Sequence, residues 1–155
     1  MLENILVRGR YKISENKISL FNGGSLISFK VKATSVTFQL SAIFNDCYIH
    51  IIKDLDYKNK EKYLIKNRQS LTINFHDSNK EHIIDLIKAN EASNNNLIIE
   101  NITVKGDILP YKPSKDIFIK VYGDSTIAGY GILAHDGNGN IHNNDSVENF
   151  CFRSL

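Results

Sequence analysis

Ile27, Phe29 and Val31 alternate with Ser28, Lys30 and Lys32, and Val36, Phe38 and Leu40 alternate with Thr37, Gln39 and Ser41. Successive side chains on a strand point to opposite faces, so both stretches predict strands with one buried and one exposed face. Further runs at 48–53, 71–75, 82–88 and 97–104 predict more strands. Turn-forming clusters separate them: Asn22-Gly23-Gly24, Asn45-Asp46, His76-Asp77-Ser78-Asn79 and Asn94-Asn95-Asn96. Many short strands at this spacing predict a mainly β protein, an antiparallel β-sandwich or jelly roll, over residues 1–109.

The pattern changes at Pro110-Tyr111-Lys112-Pro113, which holds both prolines of the chain. Proline has no amide donor and restricts the residue before it, so 110–115 is expected to be an extended linker. Beyond it, 117–122 is nearly continuous apolar sequence, which suits a parallel strand covered on both faces. Residues 134–145 form a polar loop rich in Gly and Asn. Asp145 or Ser146 is placed to cap a helix starting at Val147, with Phe150 and Leu155 on one side. Residues 116–155 therefore read as the opening strand, loop and helix start of an α/β domain. A strand like 117–122 requires neighbours on both edges. The segment after Pro113 is thus expected to be poorly ordered, to pack on the sandwich, or to pair with another chain.

Composition narrows the function classes. A chain of 155 residues with 42% apolar content supports one domain, or one domain and part of another. The net charge is +2 with both signs interspersed, giving no electrostatic case for nucleic acid or an anionic membrane. No apolar stretch reaches membrane-spanning length. The N-terminus lacks an apolar signal core, so the chain as written is expected to be cytoplasmic, or secreted if a signal was removed. Cys47 and Cys151 have neither metal-ligand nor disulfide-framework spacing and read as reduced thiols. Asp136-Gly137-Asn138-Gly139-Asn140 looks like the start of a calcium loop, but Val147 stands where the bidentate acid belongs. No metal or cofactor is expected.

The chemistry centres on Ser125. The apolar run 117–122 leads into Gly123-Asp124-Ser125-Thr126, and Gly129-Tyr130-Gly131 follows. Gly123 permits a tight strand-to-loop turn that presents the serine hydroxyl. A serine needs an adjacent base and oxyanion donors before it acts as a nucleophile. Ile127 occupies the place of the second glycine of a Gly-x-Ser-x-Gly elbow, which argues against a common α/β-hydrolase lipase. His135 and His142 follow in the polar loop, where a solvated histidine is the default reading. His50 and His82 fall in strands, as packed or surface imidazoles, and His76 sits in a turn.

The block 121–131, Val-Tyr-Gly-Asp-Ser-Thr-Ile-Ala-Gly-Tyr-Gly, resembles the first motif of SGNH (GDSL-type) hydrolases. The region before it resembles the N-terminal jelly roll of carbohydrate esterase family two. The pieces carrying that resemblance are Val7-Arg8-Gly9-Arg10-Tyr11, the strand 25–31, and the segment 81–91 with its His82, alternating apolar residues, Lys88 and Glu91. The resemblance implies an acetylesterase acting on acetylated carbohydrate. It implies Ser125 as nucleophile, the Ser125 amide as one oxyanion donor and Asp124 as support for the turn. The family's later glycine and asparagine donors, and its Asp-x-x-His base segment, have no counterpart in these residues, so the base is expected from a missing C-terminal segment or a second chain.

Two functions remain open at this point. One is the N-terminal portion of a serine-dependent carbohydrate acetylesterase, inactive as this fragment. The other is a non-catalytic β-sandwich that binds carbohydrate or a partner protein. Tyr48, Tyr57, Tyr63, Tyr111, Tyr122 and Tyr130 are available as sugar platforms, most of them read as packing residues. Tyr130, close to Ser125, is the one placed at a substrate mouth.

Overall fold

A computed structural model describes residues 2–91, 95–113, 129, 132–134 and 144–148. The described residues form nine antiparallel strands: β1 (Leu6–Arg8), β2 (Tyr11–Ser14), β3 (Lys17–Leu20), β4 (Leu26–Ile43), β5 (Cys47–Lys53), β6 (Glu61–Ile65), β7 (Arg68–Asn74), β8 (His82–Lys88) and β9 (Asn96–Leu109). Short 3-10 turns lie at Leu2–Asn4 and Tyr57–Asn59. The strand path runs β2-β3-β9-β4-β8-β5-β6, with β1 and β7 also paired to β4.

The two alternating sets seen in the sequence belong to one strand. β4 is 18 residues long, and its buried positions change parity along it. Ile27, Phe29, Val31 and Ala33 are buried in the first half, and Val36, Phe38 and Leu40 in the second. The change falls at Thr34, where pairing with β9 jumps from Ala33↔Gly106 to Ser35↔Lys105. One extra residue opposite a regular partner strand is a β-bulge, which bends the strand and resets which face is inward. The Thr34 carbonyl accepts from the Phe75 amide at 2.9 Å, and its hydroxyl donates to the Lys105 carbonyl at 3.3 Å. Gly106 faces the bulge with φ +145°, and a Cβ there would overlap the Lys32 carbonyl oxygen and lie 2.6 Å from the Ala33 Cα. Only glycine fits that approach. A second register shift falls between Gln39 and Leu40, where Glu100 is the extra residue on β9. Burial on β9 changes parity there too, from Leu97 and Ile99 to Ile102.

The bend makes β4 a member of two layers. Its first half pairs with β8, which continues through β5 to β6, and its second half lies between β7 and β9. Inward residues of both layers join in one core that includes Ile18, Leu20, Phe29, Phe38, Ile49, Ile51, Ile84, Leu86 and Leu97. The architecture is an antiparallel β-sandwich. β9 ends at Leu109, and residues 110–113 lie in neither strand nor helix. The strand, loop and helix expected over 116–155 lie mostly outside the described residues. Gly129, residues 132–134 and residues 144–148 are described, and none of them is in a strand or helix.

Candidate functional site

Ser125, Asp124 and Tyr130 lie outside the described residues, as do His135, His142, Cys151 and the loop 136–140. Within the same stretch Gly129, residues 132–134 and residues 144–148 are described, and the last of these meet the sandwich.

The layer containing β8, β5 and β6 has an inner and an outer face. Cys47, Ile49 and Ile51 on β5, and Ile84 and Leu86 on β8, belong to the core. Alternation therefore turns His50, Ile52, Asp85 and Ile87 outward. Pairing aligns them in rows, Ser28–Asp85–Ile52 and Leu26–Ile87–His50–Lys62. An outer face of a lone sandwich would be wet, yet His50 is only 2% exposed and Ile52 and Ile87 are fully buried.

Residues 144–148 cover this face. Val147 packs on Ile52 and Ile87, with Leu26 alongside. The Ser146 amide donates to the Ala89 carbonyl at 2.8 Å, continuing the backbone pairing just past the end of β8. Lys60 and Glu148 form an ion pair of 2.9 Å at the margin.

Asp145 is fully buried at the centre of the contact. One carboxylate oxygen, Oδ2, accepts from His50 Nε2 at 2.9 Å and from Lys62 Nζ at 2.6 Å. The other, Oδ1, accepts from the Val147 amide at 3.1 Å. That last bond is the one a capping aspartate makes, but residues 146–148 form a turn, and the helix expected to follow lies outside the described residues. Burial raises the Asp145 carboxyl, but the His50 hydrogen bond and charge, together with Lys62, outweigh it and hold the group below its ordinary value. The buried Nδ1 of His50 has no hydrogen-bond partner among the described residues. Lys62 also lies 4.9 Å above the Tyr48 ring, a cation–π distance.

Asp145 in turn holds Gly129. The Asp145 amide donates to the Gly129 carbonyl at 3.1 Å, as does Ile132 at 3.3 Å. Gly129 has φ +74°, and a Cβ on it would overlap the Asp145 carbonyl oxygen. The glycine just after the Gly-Asp-Ser block is thus required by this contact.

A second polar group occupies the same face. Asp85 is 3% exposed and accepts hydrogen bonds from Ser28 and from the Tyr57 hydroxyl, the latter at 3.1 Å. Burial pushes its carboxyl above the ordinary value, against the pull of Ser28, Tyr57 and Arg8.

The remaining sequence candidates have structural roles. His82 stacks on Phe75 at 4.4 Å, and its nitrogens face Asp54 and the Asp77 carbonyl at 3.0 and 3.1 Å. Neither nitrogen is left to serve as a base. His50 is packed, as a strand histidine was expected to be. Cys47 is buried and free, and burial pushes its thiol up to about 11. Among the described residues no group of three His, Cys, Asp or Glu is gathered to hold a metal, and no helix is long and apolar enough to cross a membrane.

Lys62 and the His50–Asp145 pairing went unread in the sequence. The signal available was the short apolar runs Ile51-Ile52 in β5 and Ile83-Ile84 in β8, which break strict alternation. Such runs mark strands covered on both faces.

The family model for the carbohydrate esterase 2 N-terminal region matches residues 7–113. A family two carbohydrate esterase from Cellvibrio japonicus is similar in structure, with TM-score 0.86 and 20% identity over 98% of this chain and 46% of that one. Another from Clostridium thermocellum, solved in complex with cellohexaose, has TM-score 0.84 and 18% identity over 97% of this chain and 47% of that one. The acetyl xylan esterase Est2A from the rumen bacterium Butyrivibrio proteoclasticus has TM-score 0.76 and 13% identity over 96% of this chain and 42% of that one. At these identities the likeness establishes the fold. The chain spans about half the length of these solved structures or slightly less. No curated protein matches it.

Proposed function

The chain belongs to the carbohydrate esterase 2 N-terminal family, and on that premise we propose that it is the N-terminal portion of a serine-dependent carbohydrate acetylesterase. Residues 1–109 are the sandwich, 110–115 the linker, and 116–155 the first part of an SGNH-type catalytic domain. Ser125 is the nucleophile and its amide an oxyanion donor. Asp124 supports the turn, and Tyr130 lines the substrate mouth.

The observation that carries this reading is the seat of Asp145 on the sandwich and the hydrogen bond from its amide to Gly129. Gly129 follows Ser125 by four positions, so the link from the sandwich through Asp145 ends on a residue close in sequence to the serine. A module used only for binding has no need to fix that segment.

In the reaction, Ser125 Oγ forms a bond to the acetyl carbonyl carbon as a base removes its proton. The carbonyl oxygen takes the negative charge beside the Ser125 amide. The ester C–O bond then breaks, the sugar oxygen leaves with a proton from the base, and water releases acetate from the acyl-serine. The base is supplied by a segment beyond these residues. The substrate class is an acetylated oligo- or polysaccharide, which the cellohexaose bound by the Clostridium thermocellum protein supports.

Acetate release from an acetylated saccharide tests this. In the protein carrying the completing segment, Ser125→Ala should lower turnover by at least about a thousandfold. The 155-residue chain alone should show no serine-dependent release. Turnover that survives Ser125→Ala removes the proposed nucleophile, and no turnover from either protein leaves the binding module as the better reading.

A further inference from the structure

We infer that His50 and Lys62, both on the sandwich, are positioning residues for the esterase reaction, acting through Asp145 and Gly129. This rests on the reading of Ser125 as nucleophile.

The path is continuous. His50 and Lys62 are cross-strand partners on β5 and β6, so the sheet fixes their spacing. Both donate to the same oxygen of Asp145, at 2.9 and 2.6 Å. The Asp145 backbone is thereby held where its amide meets the Gly129 carbonyl. Gly129 lies four positions after Ser125, a reach of at most about 14 Å. The Ser125 hydroxyl must sit within a few tenths of an ångström of its working position for efficient attack. An anchor this close in sequence is therefore placed to govern it.

Packing alone does not account for the arrangement. Val147 on Leu26, Ile52 and Ile87 already supplies apolar burial. A buried carboxylate, a buried imidazole and an ammonium add desolvation cost and are poor general-purpose adhesive. What they add is direction. A two-donor clamp on one carboxylate oxygen fixes the orientation of the segment, which apolar contact leaves loose.

The test has two arms. In the 155-residue chain, His50→Leu should speed amide exchange at Asp145, Ser146 and Val147 roughly ten- to a hundredfold, while amides of β4 and β9 stay protected. His50→Gln, which can place a donor near the position of Nε2, should restore protection. Lys62→Met provides a second variant that leaves His50 in place. In the protein carrying the completing segment, His50→Leu and Lys62→Met should lower kcat on the order of tenfold with KM little changed, and His50→Gln should recover most of the rate. Faster exchange with unchanged Ser125-dependent kcat overturns the positioning role and leaves the Ser125 reading standing. Rates that ignore Ser125→Ala but follow His50 overturn the Ser125 reading, and the inference with it.

Discussion

The rings of Phe29 and Phe38 meet edge to face with centroids 6.1 Å apart, although both residues are on β4. They are nine positions apart in the sequence. A straight strand would separate their Cα atoms by about 30 Å. Only a strand folded over at the Thr34 bulge brings the two rings together, so this one contact reports the closure of the sandwich.

That contact should be measurable as a coupling. Phe29→Ala and Phe38→Ala should each destabilise by about 3–5 kcal/mol. The double variant should fall short of the sum by roughly 0.5–1.5 kcal/mol, the usual worth of an aromatic pair. Urea unfolding of the four proteins checks it. Strict additivity would mean that the halves of β4 do not face each other.

Gly106 and Gly24 both have positive φ, but only Gly106 is crowded. Gly106→Ala should cost at least about 3 kcal/mol, from backbone strain together with collision against β4. Gly24→Ala, with φ +79° and no atom within 4 Å of the new Cβ, should cost only the backbone penalty of about 1–2 kcal/mol. Equal losses would show that the close approach at the bulge is not the constraint.

Asp85 should make the sandwich less stable as pH rises. Its carboxyl is raised by burial, so the folded state holds the proton more tightly than the unfolded one. The resulting penalty grows as pH climbs from the ordinary value of 3.8 through the folded value, and is fully present above it. Asp85→Asn can still meet Ser28 and Tyr57 and carries no charge to desolvate. It should gain on the order of 1 kcal/mol at neutral pH and match the parent near pH 3. Denaturation midpoints across this range test the claim, and a variant weaker at neutral pH refutes it.

Lys88 is fully buried on β8, with its ammonium donating to the Asn90 carbonyl. Burial lowers its pKa, against the opposing pull of Cys47 and Glu91. The unfolded chain therefore keeps that proton at pH values where the folded one has released it. Stability from this group rises as pH increases from the folded value toward 10.5. Lys88→Met fills similar volume and should be neutral or about 1 kcal/mol stabilising at pH 7. Its advantage should shrink in alkaline buffer. Lys88→Ala should lose about 2–4 kcal/mol to the cavity.

Much of the sandwich was legible because its strands carry period-2 patterns. The runs at 48–53, 71–75, 82–88 and 97–104 fall on β5, β7, β8 and β9. Three of the four turn clusters, 22–24, 45–46 and 76–79, lie outside strands. β1, β2, β3 and β6 were not seen. Tyr11–Ser14 is exposed throughout and Glu61–Ile65 buries only Ile65, so neither shows a clean apolar face. β2 is instead fixed to β3 by the tight turn at Glu15 and Asn16, both with positive φ. The bulge was present in the sequence as a change from odd to even apolar positions between Val31 and Val36, but read locally it looked like two strands. The Asp145 seat is a different matter. It joins residues 95 and 83 positions apart, and no local pattern encodes such a pairing.

The covered outer face also says something about how this sandwich can travel between genes. Many β-sandwich attachments are self-sufficient and can be appended to unrelated enzymes. This one has Leu26, Ile52 and Ile87 under Val147, and His50 under Asp145. Severed from that companion segment, it would present a greasy, half-charged surface to solvent. The sandwich therefore depends on its neighbour for this cover, and placed alone in another polypeptide it would need a new cover or would self-associate.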